Sequence, residues 1–97
     1  MKHYTLNDEG EPIFEPDAEK WALWFENANL HVADDDVGNA RVSTVFLGIG
    51  WDDGPSAIWE TVIFGGPLDQ VKDRCLGSRE QAESMHKKTV SRVHAAT

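Results

Sequence analysis

Three groups of side chains in this 97-residue sequence carry chemistry worth testing. Cys75 and His86 lie eleven positions apart, on what read as neighbouring elements. A thiol beside an imidazole is a nucleophile with its base. No third group to orient the imidazole stands out, and a lone cysteine in a strand more commonly serves as a small apolar residue. Asp34, Asp35 and Asp36, with His31 nearby, offer hard oxygen ligands and one nitrogen. As a calcium loop the stretch fails its spacing: Asn39 holds the sixth position and Val45 the twelfth, where glycine and glutamate are needed. Asp52 and Asp53 form a carboxylate pair, but they sit in a Gly-Pro cluster and read as turn formers. Gly48 and Gly50 lack the third glycine and the lysine of a phosphate loop. These patterns supply no catalytic set, no metal site and no cofactor site, so the expectation is a protein that is not an enzyme.

Charge carries more information. The formal net charge is −8. Residues 1–60 hold 13 acids against 3 bases, whereas residues 61–97 hold 4 acids against 6 bases. A field of that sign repels phosphate, which disfavours direct nucleic-acid binding and suits a partner with a basic surface. Within the acidic part, Asp34, Asp35, Asp36, Asp52 and Asp53 are the expected contact carboxylates. Trp51, at a turn where a large ring is hard to bury, is the expected apolar anchor.

These residues must be held by a small fold. Length and 40% hydrophobic content suit one domain over residues 1–97 with a modest core. No apolar run reaches the roughly 20 residues of a membrane helix, the N-terminus does not read as a signal peptide, and one cysteine forms no internal disulfide. A cytoplasmic protein without a membrane partner is expected.

The run RVSTVFLGIGWDDGPSAIWETVIFGG, residues 41–66, reads as a β-hairpin: two β-branched and aromatic stretches around an Asp-Asp-Gly-Pro-Ser turn. Val42, Thr44 and Phe46 share one face of its first strand, while Ser43, Val45, Leu47, Ile49 and Trp51 share the other. Both faces are rather apolar, which places the hairpin centrally and leaves a homodimer as one way to cover the second face. Upstream, residues 3–6 read as a strand, residues 7–10 as a turn and residues 12–14 as an extended edge. Asp17 opens a helix carrying Trp21, Trp24, Phe25, Ala28 and Val32 on one stripe, expected to fray at Asp34, Asp35 and Asp36 and to stop by Gly38. Residues 70–76 read as a polar strand. Ser78-Arg79-Glu80-Gln81 is a capping box, opening a last helix with Ala82, Met85, His86, Thr89, Val90 and Val93 inward. The expected class is α+β, in the order β-α-β-β-β-α: a small antiparallel sheet of three to four strands with two helices on one face.

The hairpin strings, with the helix around Trp21-Ala22-Leu23-Trp24-Phe25 and the one after Ser78, resemble a family of small, uncharacterised phage and prophage proteins. The resemblance covers nearly the whole chain and implies a phage-encoded accessory protein, without implying a reaction. Members often carry a longer, histidine-containing loop after the first hairpin strand. Here that loop is Gly50-Trp51-Asp52-Asp53-Gly54, so no role of that histidine carries over. The functional expectation is an interaction protein in the host cytoplasm, inhibiting a host defence or nucleic-acid-handling complex by occupying a basic site. The alternatives are a small ligand-binding or catalytic domain using Cys75 and His86, and a self-associating structural protein.

Overall fold

In the computed structural model, which describes residues 1–50 and 58–96, the chain is α+β with two antiparallel sheets and two helices. The elements are β1 (Lys2–Leu6), β2 (Pro12–Glu15), α1 (Ala18–Asn27), β3 (His31–Val37), β4 (Ala40–Phe46), β5 (Ile49–Gly50), β6 (Ile58–Phe64), β7 (Lys72–Leu76) and α2 (Arg79–Ala96). The class and broad order match the sequence reading, but the strands are more numerous and fall into two sheets.

The larger sheet has the order β3-β4-β6-β7, so the two hairpin runs are its central strands. Their side chains alternate as the pleat requires. Val42, Thr44 and Phe46 from β4, with Trp59, Thr61 and Ile63 from β6, are all buried on one face. Helix α2 lies across that face. Its capping box forms reciprocally: the Ser78 hydroxyl accepts from Gln81 N–H at 3.3 Å, and the Gln81 carbonyl accepts from Ser78 N–H at 2.9 Å. The inward stripe is the expected one, with Ala82, His86, Thr89 and Val93 buried and Met85 and Val90 half-buried.

The smaller sheet, β2-β1-β5, packs at one end of this layer and carries α1. The expected first hairpin strand therefore stops early, at Phe46. Gly48, at φ 70°, swings the chain out of β4 so that β5 can pair with β1. A Cβ at Gly48 would stand 3.1 Å from the Tyr4 carbonyl and 3.0 Å from Trp21 Nε1, so only glycine fits there without a shift. Tyr4, Phe46, Trp59 and Ala82 then form a core joining both sheets to α2, with Trp24 packed edge-on against Phe46. A second cluster of Val37, Ala40, Val42, Ile63 and Val93 fills the far end.

Two expectations about α1 are corrected. The helix ends at Asn27, well before Gly38, and no residue on it is fully buried. Trp21, Trp24 and Phe25 are half-buried against the small sheet, and α1 reaches the large sheet through Trp24. Asp34, Asp35 and Asp36 are not a fraying helix end. They belong to edge strand β3, where Val32 and Val37 favour extended backbone and alternation sends successive carboxylates to opposite faces. The exit from α1 is fixed locally: Asn27 Nδ2 donates to the Leu23 carbonyl at 2.8 Å, and Asn29 Oδ1 accepts from His31 N–H at 3.2 Å.

Candidate functional site

Strand alternation separates the three adjacent aspartates. Asp34 lies on the outer face of β3, where its carboxylate takes the Arg41 guanidinium in a two-point ion pair, with Nε to Oδ1 at 2.8 Å. That guanidinium holds the Asp34 carboxyl below the usual range and is itself raised. Asp36 stands opposite Arg41 in the same ladder. Asp35 turns to the other face and meets α2.

There Asp35 starts a chain of four side chains. Its Oδ2 lies 2.7 Å from His86 Nε2, His86 Nδ1 lies 2.7 Å from Thr44 Oγ1, and Thr44 Oγ1 lies 2.5 Å from Thr61 Oγ1. The carboxylate only accepts, so Nε2 carries a proton. With the ring neutral, Nδ1 accepts from Thr44, whose hydroxyl oxygen accepts from Thr61. An acid, an imidazole and a hydroxyl in this order have the connectivity of a nucleophilic triad. The hydroxyl is fully buried, however, and committed to two partners, so no substrate reaches it. The arrangement ties β3, β4, β6 and α2 together and leaves no described buried side-chain polar atom unpartnered.

The same chain bears on the Cys75–His86 pairing. Both imidazole nitrogens are engaged elsewhere, leaving none to activate the thiol. Burial also pushes the Cys75 thiol up, away from the reactive thiolate. Asp35, Thr44 and Thr61 were the partners that sequence reading missed. The only signal was period-two alternation through an acidic run, which a helix assignment hid.

Trp51, Asp52 and Asp53 lie outside the described residues. Among the described residues, no group of three His, Cys, Asp or Glu side chains is placed to hold a metal ion. No described helix is long and apolar enough to cross a membrane.

Among the described residues, the small lobe carries six exposed acids, and β3, the β6–β7 turn and α2 carry six more. Residues 7–11, between β1 and β2, form an ordered turn around Asn7, whose Oδ1 accepts from Glu9 N–H at 3.0 Å and Glu11 N–H at 2.9 Å. The Asn7 amide also donates to Glu11, holding that carboxyl below its usual range. Asp8, Glu9 and Glu11 are exposed on this turn, and Glu19 and Glu26 are exposed on α1. The same lobe exposes apolar side chains: Ile13 and Phe14 are about half exposed, and Leu23 is 65% exposed. Asp17 is spent locally, as the N-cap accepting from Glu19 and Lys20 N–H. No family model matches the chain, and neither a curated protein nor a solved structure does.

Proposed function

We propose that this chain is a non-enzymatic binding domain whose acidic N-terminal lobe occupies a basic site on another protein. The observation that supports this most is the ordered acidic turn at residues 7–11, on a lobe that also exposes Ile13, Phe14 and Leu23. A turn whose backbone is already held presents its carboxylates at a lower ordering cost, and exposed apolar side chains supply anchoring area. Asp36 is exposed opposite Arg41 on β3, at the end of the sheet away from this lobe. Asp34 and Asp35 contribute less than their charge suggests, because Arg41 and His86 already engage them.

Given the resemblance of its hairpin strings to small phage and prophage proteins, the partner on this reading is a host complex whose basic groove otherwise holds nucleic acid. The protein would act there as an inhibitor in the host cytoplasm. Affinity capture from host cells, followed by competition between this protein and duplex DNA for the captured complex, tests the reading. Displacement of DNA by the protein supports it. Simultaneous binding of both would contradict it.

A further inference from the structure

Strand β7 ends the larger sheet, and α2 runs beside it. The Arg92 guanidinium, late in the helix, bonds Asp73 early in the strand at 3.3 Å, and Gln81, early in the helix, lies against Gly77 just past the strand. Helix and strand are therefore antiparallel neighbours, with a cleft of about 440 Å³ between them. Its floor is Cys75 and Met85, its helix side carries Lys88 and Arg92, and Arg74 borders it from the outer face of β7, where it bonds Glu60.

Among the described residues, β7 has no strand on its outer side. Ile63 N–H donates to the Val71 carbonyl at 3.0 Å, and Gln70 N–H donates to the Ile63 carbonyl at 2.7 Å. Alternation from that point directs the amides of Asp73 and Cys75 toward β6 and those of Lys72, Arg74 and Leu76 outward. The dimensions agree as well. From Gln81 to Arg92 the helix rises about 16 Å, the length of about five extended residues and so of β7 itself.

We infer that this cleft binds an extended acidic segment of a partner protein, which adds to β7 as a fifth strand. The outward amides and carbonyls pair with its main chain. One apolar side chain of the segment would rest on Cys75 and Met85. Its carboxylates would meet Lys88, which supplies the excess positive charge at the cleft once Asp73 and Glu60 bond Arg92 and Arg74. This site is separate from the acidic lobe and does not depend on the function proposed for it.

The test is a ¹⁵N-edited NMR titration of the full chain with a capped heptapeptide of alternating Glu and Val. Controls are the same peptide with Lys for Glu and one N-methylated at alternate amides. The expected result is saturable shifts centred on Lys72, Arg74, Leu76, Met85 and Lys88, with slowed amide exchange at Lys72, Arg74 and Leu76. The Lys peptide should leave these signals unmoved, N-methylation should weaken binding at least about tenfold, and the double variant R74E/K88E should do the same. If that variant does not fold, the N-methylated peptide on the unmodified chain decides. No saturable shift, equal response to the Lys peptide, or shifts centred on β3 would overturn the inference. So would a doubling of molar mass without peptide, which would assign the edge to a second copy.

Discussion

His86 is nearly inaccessible, yet the carboxylate it bonds is 57% exposed, so the polar chain runs from solvent into the core. Within it, Thr44 is the member whose loss leaves the most behind, because both His86 Nδ1 and Thr61 Oγ1 would lose a partner. Thr44→Val should cost about 1–3 kcal/mol in urea unfolding. Asp35→Asn keeps an acceptor for Nε2–H and should cost less than about 1 kcal/mol. Equal losses would show that the four side chains are not one network. Asp34 allows a pH test on the outer face. Its folded pKa is depressed by Arg41, so the stabilisation from that pair is present above the unfolded carboxylate pKa. It is lost as pH falls through the lower folded value. Because both side chains are more than a third exposed, the effect on stability should be small, and NMR titration of the carboxyl is the better measurement. Arg41→Ala should return the Asp34 carboxyl to the ordinary range, and an unchanged titration would contradict the assignment. Composition alone made Asp34, Asp35 and Asp36 one acidic cluster. What divided them was strand alternation and a bond from Asp35 to His86, 51 positions away. A long-range partner of that kind leaves no local signal.

Elements differed in how clearly the sequence announced them. Helix α2 was legible because its start signal and its apolar period agree, and both are local. Ser78→Ala should therefore destabilise by about 0.5–2 kcal/mol with the fold retained, and unchanged chemical denaturation would contradict the cap. Helix α1 also announced its start, with Asp17 as N-cap. Its end did not show, because Ala28 and Val32 continue the helical period by coincidence while Asn29 turns the chain. The aromatic stripe consequently seemed more central than it is. Trp59, fully buried and donating from Nε1 to the Gly77 carbonyl at 2.8 Å, is the tryptophan that holds the core. Trp59→Ala should cost about 3–5 kcal/mol, and half-buried Trp24→Ala about 2 kcal/mol. The reverse order in unfolding experiments would mean that α1, not β6, anchors the two sheets. The split of the first hairpin strand was hidden for another reason. Nothing at Gly48 announces that Ile49 and Gly50 will pair with β1, nearly fifty residues back.

At the scale of the molecule, exposed acids stand on the β1–β2 turn, α1, β3 and α2, while Arg74, Lys88 and Arg92 line the cleft at the opposite sheet edge from β3. The sign of the two halves of the chain was readable from the sequence. The acids on the ordered turn were passed over, because Asn7, Glu9 and Glu11 look like an ordinary polar loop until Asn7 is seen to organise them. The proposed function rests on that acidic lobe as a binding surface. Its most direct test is a set of four isotherms with the captured host partner. The unmodified chain and a variant with Asp8→Asn, Glu9→Gln, Glu11→Gln, Glu19→Gln and Glu26→Gln would be compared at about 50 and 200 mM salt, concentrations that bracket strong screening of exposed charges. The variant should bind more weakly at low salt and lose less on adding salt than the unmodified chain does. Equal affinity in all four measurements would contradict the proposed function.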